Sequence, residues 1–353
     1  MSLHSSNGRL MYHKFQRGSN MMKKLLVAVF FTVFTAQAAF AAYPEKNIQG
    51  IIMWGAGGAM DNVARAITPI AGKELGKTVI MQNKTGATGA IATVFVNNLP
   101  ADGYTLLFGA ENPNLYKVTG LAKIDYADFD PVLLMMANVG VVVVPKDSPY
   151  KTFKELIDAA KSGKTVKMGS TGPGGLPFVA TSLIEKAHGV KFPQIQFDGD
   201  GPAVTAIMGS HIDAIAVGLL SCANLINSGS VRALAVVSPE RVQAVKQVPA
   251  ITEFYAKEYK PYLPWGAFFG VFVKKGTPKE IYDTLQKAYL KAYKDPKFDE
   301  FAKTMGGVKL GLTGDAARKY INQNQSVSSW LLYDTGGAKE SPEKFGIPRP
   351  AHK

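Results

Sequence analysis

Short apolar runs alternate with stretches of helical periodicity along most of the chain. Residues 48–65 set the pattern, because an apolar run passes into a glycine-rich turn and then into a helix with apolar residues on one face. Pro69 is expected to interrupt this helix, since proline lacks a backbone N–H, and Thr68 can cap a restart that runs to Leu75. The first unit is therefore expected to be a strand, a turn and a broken helix.

The same alternation of strand and helix continues towards the end of the chain. Apolar or β-rich runs predict strands at 78–82, 104–108, 129–136, 139–144, 166–169, 195–197, 212–217, 231–237 and 267–273. Helical periodicity and capping residues predict helices at 90–98, 153–161, 177–188, 202–208, 279–293 and 315–333. Because strands and helices alternate, the pattern predicts an α/β protein with parallel sheets covered by helices.

The strands fall into two groups, and each group has a glycine-rich turn between a strand and a helix. Two lobes that face one cleft are therefore expected. The apolar run 267–273 follows the second group, so a chain that crosses to a second lobe must cross back. We expect a first lobe of residues 42–138 plus 238–353 and a second lobe of residues 139–237.

The glycine-rich turns are candidate anion sites. Turn 54–58 exposes backbone amides at the positive end of a helix dipole, and its glycines permit positive φ and close approach of a ligand. Segment 170–175 repeats this arrangement, and loops 83–89 and 109–113 also follow strands, at the ends where open α/β sheets bind ligands. A glycine-rich turn can also serve only to pass closely over a sheet, so both interpretations stay open.

The turn does not match the nucleotide-binding fingerprints. The Rossmann motif needs a glycine where Met60 stands, and no Lys-Ser or Lys-Thr of a P-loop follows. The one Gly-Lys-Thr, at 163–165, has Asp158 in place of the upstream glycine and ends a predicted helix.

The beginning of the chain resembles a leader. Lysines at 23–24, an apolar stretch at 25–36 and a small-x-small site ending at Ala41 are typical of a secretory signal peptide. The natural start is expected at Met21, so residues 1–41 are interpreted as upstream residues and signal peptide. The apolar stretch is short for a bilayer span of about 20 residues, although a retained N-terminal anchor is the alternative.

Composition is that of an exported protein. The leader holds five basic residues and no acidic one, so its removal lowers the net charge by five, from +13 to +8. A charged fraction of 19% without a basic cluster favours anionic ligands only diffusely and argues against nucleic-acid binding. One cysteine cannot form an internal disulfide, and 353 − 41 = 312 residues suffice for two domains.

Residues with catalytic chemistry are scarce. After the leader the histidines are His188, His211 and His352, and none has metal-ligand spacing to another histidine or to a cysteine. Ser221 and Cys222 lack a base that the sequence can locate, and no Gly-x-Ser-x-Gly elbow occurs. We therefore expect no enzyme activity and no metal site, and a buried Cys222.

Short motifs follow one another in a definite order after the leader. They are Tyr43-Pro44, Gly57-Gly58-x-x-Asp61, Asn83 with Gly86-Ala-x-Gly89, Pro100-x-Asp102-Gly103-Tyr104-Thr105-Leu106, Phe129-x-Pro131-Val132, Gly169-Ser170-x-Gly172, Ser228-Gly229-x-Val231-Arg232-Ala233-Leu234, Trp265-x-Ala267 and Gly276-Thr277-Pro278. In order and spacing they resemble the extracytoplasmic substrate-binding proteins of tripartite tricarboxylate transporters, also called the Bug family. The resemblance covers essentially the whole chain after the leader.

The resemblance implies an α/β, two-lobed periplasmic-binding-protein fold, type II-like, with a ligand cleft between the lobes. It implies a small organic carboxylate as ligand, held largely by backbone amides and water, and delivered to the large and small membrane subunits of the transporter. A monomer in the periplasm is expected, with no chemistry of its own, no cofactor and no nucleic acid. The alternative is a periplasmic sensor that docks on a receptor kinase.

The family's ligand loops map onto this chain residue by residue. The residues expected to bind the ligand are Trp54, Gly55, Ala56, Gly57, Gly58, Asp61, Thr85, Ala87, Thr88, Ala110, Glu111, Asn112, Ser170, Thr171, Gly172, Gly174, Phe197 and Asp198.

Two acidic residues depart from the family pattern. Glu111 stands where the family more often has Ser, Thr or Asn, and Phe197-Asp198-Gly199 replaces its usual Tyr-Lys-Gly. An acid that faced the cleft would disfavour a second carboxylate on the ligand and favour a hydroxyl or an ammonium, whereas solvated surface is the alternative. Citrate, tricarballylate, dicarboxylates, acidic amino acids and aromatic acids all stay open as ligands.

Overall fold

The computed structural model of the chain describes residues 43–263 and 265–350. The predicted signal peptide lies outside these residues. Every helix and strand below belongs to the unit Lys46–Lys353. Among the helices in the described ranges, none is both long and apolar enough to cross a membrane.

Eleven strands in the described residues form two sheets. In chain order they are β1 (Ile48–Ile52), β2 (Val79–Asn83), β3 (Thr105–Ala110), β4 (Phe129–Asn138), β5 (Gly140–Pro145), β6 (Met168–Ser170), β7 (Gln194–Gln196), β8 (Ala214–Gly218), β9 (Val231–Val237), β10 (Ala267–Lys274) and β11 (Val308–Leu312). The first sheet has the order β11-β4-β10-β3-β1-β2, and the second has the order β7-β6-β8-β5-β9.

Both sheets are mixed, so the prediction of parallel sheets is wrong in part. Strands β2, β1 and β3 run parallel, as do β7, β6 and β8, whereas β10 is antiparallel to β3 and β4, and β5 is antiparallel to β8 and β9. One residue, Val139, separates β4 from β5. The chain thus passes between the sheets in extended form, without the helical crossover that parallel neighbours need.

The described residues form eleven α-helices. They are α1 (Ala59–Leu75), α2 (Ala90–Asn97), α3 (Tyr116–Thr119), α4 (Phe153–Lys161), α5 (Leu176–His188), α6 (Asp200–Met208), α7 (Ala223–Asn227), α8 (Thr252–Tyr259), α9 (Lys279–Tyr293), α10 (Pro296–Met305) and α11 (Gly314–Asp334). The helices predicted at 153–161 and 279–293 have the predicted bounds, whereas the prediction did not include α3, α7, α8 and α10. The lobe boundaries expected at residues 138 and 238 stay a prediction.

Helix α1 is continuous through Pro69, so the predicted interruption is wrong. The helix buries Val63, Ala64 and Ile67 completely and packs against α9. This packing outweighs the lost hydrogen bond and the ring clash of an internal proline, which cost about 3 kcal/mol. The helix ends where Gly76 takes a left-handed conformation, at φ 64°.

The second sheet has its own apolar core. Valines of β5, β8 and β9 pack there against α6, and Cys222 belongs to the same cluster, with 1% of its surface exposed. Burial raises the pKa of the Cys222 thiol well above its ordinary value. The expectation of a buried cysteine is thus confirmed.

Candidate functional site

A cavity of about 30 Å³ lies where loops of the two sheets meet. On the side of the first sheet, the start of α1 and the segments at the end of β3 and the start of β10 line the cavity. On the side of the second sheet, the residues after β6 and the first residues of α5 and α6 line it. The lining residues are Trp54, Gly58, Ala59, Met60, Ala110, Glu111, Asn138, Thr171, Leu176, Asp200, Ala267 and Phe269.

The glycine-rich turn before α1 brings the start of the helix to the cavity. Gly57 has φ 75°, which favours glycine, and Gly58 is the N-cap without a side-chain cap. The amide of Gly57 donates to Asp61 Oδ2 at 3.0 Å, and the amide of Gly55 donates to the Asp198 carbonyl at 3.1 Å. The amides of Gly55 and Gly57, which were predicted to donate to the ligand, are therefore already hydrogen-bonded within the protein. The residues that line the cavity are instead Gly58 and the first residues of α1.

The Asp61 carboxylate shapes the turn and does not line the cavity. Its Oδ1 accepts from Arg65 Nε at 2.8 Å and from Asn83 Nδ2 at 2.9 Å, while Oδ2 accepts from the Gly57 amide. The same Asn83 amide donates to the Trp54 carbonyl at 2.8 Å. Asp61, predicted to bind the ligand, thus holds the loop that carries Trp54 in place.

The loop after β2 contacts the loop after β6. Ala87 and Thr88 have positive φ, at 48° and 53°, and Thr88 Oγ1 donates to the Thr171 carbonyl at 3.4 Å. A Cβ at Gly172 would lie 2.8 Å from Thr88 Oγ1, so only glycine fits that approach. The residues predicted in the loop after β2, namely Thr85, Ala87 and Thr88, do not line the cavity.

Asn112 joins the two sheets through its side chain. Its Oδ1 accepts from Trp54 Nε1 at 3.2 Å, and its Nδ2 donates to the Gly174 carbonyl at 2.7 Å. The residue is completely buried. Asn112 therefore links the turn before α1 to the loop after β6.

Glu111 is a buried acid on the cavity wall. It is 3% exposed, and Oε1 accepts from Asn112 Nδ2 at 3.4 Å. Its Oε2 is buried and has no hydrogen-bond partner among the described residues. Burial raises the pKa of this carboxyl to about 8, and the charge of Asp200 adds to the rise. Glu111 is therefore mostly protonated at neutral pH.

Asp200, at the first position of α6, is the second acid of the cavity, and the sequence did not single it out as a site residue. The residue as a whole is half-buried, while its carboxyl group is enclosed and accepts from Ser221 Oγ at 3.0 Å. Burial raises the pKa of this carboxyl to about 6. Asp198, which was singled out, is exposed and does not line the cavity.

Asn138 places an amide in the same space. It is the last residue of β4, is 1% exposed, and accepts from the Leu220 amide at 3.1 Å through Oδ1. Its Nδ2 is buried without a partner in the described residues. A Cβ at Gly218 would lie 2.2 Å from this nitrogen and 2.9 Å from Asp200 Oδ2, so the glycine leaves room for both polar groups.

The comparisons with known proteins decide the family. Residues 63–329 match the model of the tripartite tricarboxylate transporter family receptor, TctC, which covers well over half of the chain. The chain belongs to this family.

Relatives and solved structures agree with the assignment. The receptor is 30% identical to a UPF0065 protein of Pseudomonas sp. (strain P51) over 277 residues, covering 75% of this chain and 79% of that protein. It is 28% identical to protein BugT of Bordetella pertussis over 335 residues, covering 89% and 98%. The solved structure of the periplasmic binding protein BugD matches with a TM-score of 0.79 and 28% identity, covering 84% and 100%.

The family and its structures confirm three expectations from the sequence. The receptor has the two-lobed α/β fold of periplasmic binding proteins, it belongs to the family that the motifs indicated, and that family consists of solute receptors rather than enzymes.

The structure brings together only part of the predicted site. Five predicted residues line the cavity, namely Trp54, Gly58, Ala110, Glu111 and Thr171. The others do not, although several of them hold the loops around it; they are Gly55, Ala56, Gly57, Asp61, Thr85, Ala87, Thr88, Asn112, Ser170, Gly172, Gly174, Phe197 and Asp198. Ser170, for example, accepts from the Gly172 amide at 3.3 Å, and Phe197 packs against the core of the second sheet.

Proposed function

We propose that this receptor binds a small organic carboxylate in the cavity between its sheets and delivers it, in the periplasm, to the large and small membrane subunits of a tripartite tricarboxylate transporter. The observation that carries the proposal is the position of the cavity. It lies at the N-terminus of a 17-residue helix, α1, and both sheets line it. The solute-receptor family supports the transport role.

The start of α1 is suited to an anion. The first amides of a helix have no intrahelical acceptor, and the helix dipole gives this end a positive partial charge. Ala59 and Met60 stand in the first turn and line the cavity, and Gly58 offers no side chain that would cap them. The Nδ2 of Asn138, which has no partner in the described part of the chain, is a further donor in the same cavity. A ligand carboxylate at this end thus needs no arginine.

Entry of the ligand requires the lobes to separate. A cavity of about 30 Å³ holds about two water-sized groups, so we expect the lobes of the liganded receptor to stand farther apart than in this structure. We place the lobes at residues 42–138 plus 238–353 and at residues 139–237. A ligand that touches both lobes favours the closed state by its differential affinity for that state.

A thermal-shift screen against a carboxylate library tests the proposal. A ligand at 100 times its dissociation constant stabilises the protein by about 2.7 kcal/mol, which raises the melting temperature measurably. Calorimetry then gives the affinity, and uptake of the same compound is expected to fall in a strain that lacks the receptor. A screen in which uncharged analogues raise the melting temperature and carboxylates do not would contradict the proposal.

A further inference from the structure

The lining of the cavity includes one acidic residue from each sheet. Glu111 follows β3 of the first sheet, and Asp200 opens α6 of the second. None of the lining residues in the described part of the chain is Lys, Arg or His. Two carboxyl groups therefore share an enclosed space without a cationic side chain to balance them.

One oxygen of the Glu111 carboxyl, Oε2, has no hydrogen-bond partner among the described residues, although the backbones of Glu111 and Phe268 lie close enough to lower the pKa of the group. Buried polar atoms nearly always have a hydrogen-bond partner, so a buried oxygen without one calls for an explanation. Glu111 Oε2 is such an atom among the described residues, although Asn112 Nδ2 donates a hydrogen bond to Oε1 of the same carboxyl. The Asp200 carboxyl accepts from Ser221 Oγ on Oδ2, and the backbone of Gly218 also acts on it. The cavity thus offers acceptors to a donor that comes from outside the chain.

We propose that the ligand is an aminocarboxylate, whose carboxylate lies at the start of α1 and whose ammonium lies between Glu111 and Asp200. The inference rests on the proposed carboxylate function and names the class of ligand within it. It assigns Asp200, which the sequence did not single out as a site residue, to ligand selection.

The chemistry favours an ammonium over the other candidate groups. An ammonium has three donors and a positive charge, so it can serve both carboxyl groups at once. A hydroxyl supplies one donor and no charge. A second carboxylate would be repelled by the ionised Asp200, and only the protonated form of Glu111 could donate to it. Dicarboxylates without an amine are therefore expected to bind more weakly than their amino counterparts.

Protonation gives the inference a second signature. Near neutral pH, Glu111 is mostly protonated and Asp200 is mostly ionised, because their pKa values are raised to about 8 and about 6. A bound ammonium favours the ionised form of both groups, so binding releases a proton near pH 7 and tightens as the pH rises from 6 to 8. Tyr116, Tyr126 and Tyr320 also interact with Glu111, and Cys222 with Asp200. Their pKa values are raised above their ordinary values, so these groups stay neutral in this range.

Matched ligand pairs test the inference on the whole protein. The pairs are glycine and acetate, L-alanine and propionate, 4-aminobutyrate and butyrate, and L-aspartate and succinate, measured by calorimetry at pH 7. At least one amino member is expected to bind tenfold or more tightly than its partner, with release of a proton seen as a dependence of the heat on the buffer. Tighter binding of the partner in every pair would overturn the inference and leave the proposed function standing. Binding by no member of the set would overturn the inference as well, and the wider library would then judge the proposed function separately.

Two isosteric variants locate the ammonium. Glu111→Gln and Asp200→Asn are expected to weaken the amino ligand at least tenfold while the affinity for its deamino partner stays or rises. The exposed acids Glu240 and Asp147 provide matched controls, and Glu240→Gln and Asp147→Asn should leave both affinities unchanged. Equal losses for both ligands, in variants that melt like the parent, would assign the two acids to structure alone. Should a variant not fold, the buffer dependence of the parent protein decides the question.

Discussion

Gly58 lies where loops of the two sheets pack closely, so a larger side chain at this position is expected to disturb them. A Cβ at this position would lie 3.3 Å from the Gly201 nitrogen and 3.3 Å from the Gly55 carbonyl oxygen, and Gly58 lines the cavity. A branched side chain therefore pushes apart the loops that close the site. We expect Gly58→Val to weaken the tightest carboxylate ligand at least tenfold, as measured by calorimetry.

Ser170→Ala is the comparison for this variant. The Ser170 hydroxyl accepts one hydrogen bond from the Gly172 amide, at 3.3 Å, and its removal costs a net of roughly 0.5 to 1.5 kcal/mol. The loss of affinity should stay below that of the valine variant. Normal binding by Gly58→Val, in a protein that melts like the parent, would show that the turn serves structure only.

Glu111 should also make the stability of the ligand-free protein depend on pH. Its pKa is raised from 4.5 to about 8 by burial, so the folded protein holds this proton more tightly than the unfolded chain. The resulting stability is complete below pH 4.5 and is lost as the pH rises through 8. His188, whose pKa burial lowers from 6.5, has the opposite effect, but only below that pH.

We therefore expect the melting temperature to fall between pH 6.5 and pH 8. The fall should be smaller in Glu111→Gln, which has no carboxyl to titrate. Scanning calorimetry of both proteins at constant ionic strength measures the two slopes. Equal slopes would mean that Glu111 does not titrate in this range.

At the residue scale, the sequence pointed to one of the polar residues that line the cavity, Glu111, but not to two others, Asp200 and Asn138. Glu111 stands out along the chain because it departs from the family pattern in a ligand loop. Asp200 opens a helix and Asn138 ends a strand, and nothing nearby in the sequence shows that both reach the space beside Gly218. The two residues can be recognised only in the three-dimensional structure, because residues from distant segments of the chain form the cavity.

At the scale of elements, helix α1 contains a proline, Pro69, that is unfavourable inside a helix. Pro69 is exposed, and its lack of an N–H leaves the Arg65 carbonyl without its helical donor. Pro69→Ala restores that donor without loss of buried surface, so the free energy of unfolding is expected to rise by up to about 3 kcal/mol. Chemical denaturation measures the change. Ligand affinity should not change, because Pro69 does not line the cavity, and a less stable variant would contradict the account.

The elements themselves followed well from periodicity where they were long or strongly apolar. The strand predicted at 231–237 and the helix predicted at 279–293 have the predicted bounds. Strand β11 was missed because its five residues are half-buried or exposed and give no continuous apolar run. Helix α10 carried signals that could have found it, since Asp295 caps it ahead of Pro296 and Gly306 ends it.

For the whole molecule we expect binding without a metal. Within the described residues no three His, Cys, Asp or Glu side chains form a group that could hold a metal ion. Ca²⁺ usually takes six to eight oxygen ligands, far more than Glu111 and Asp200 supply. Calorimetry with and without a chelator should give equal affinities. A chelator that abolished binding would show that the two acids hold a cation in place of a ligand ammonium.

Closure of the two lobes should depend on the link through Asn112. Its side chain joins Trp54 Nε1 to the Gly174 carbonyl, at 3.2 Å and 2.7 Å, and so connects the loops of the two sheets directly. Asn112→Ala removes both hydrogen bonds from the closed state, whereas the open state loses at most the bond to Trp54. The open state should therefore gain population, and affinity should fall mainly through faster dissociation.

Stopped-flow binding and small-angle scattering measure these effects. We expect a dissociation rate at least a few times that of the parent, with the association rate little changed, and a larger radius of gyration for the ligand-free variant. Ser228→Ala is the control, because among the described residues its hydroxyl bonds within an exposed turn, to Leu225 and Ser230. An Asn112 variant with the parent's dissociation rate and radius would mean that the ligand, and not this side chain, holds the lobes together.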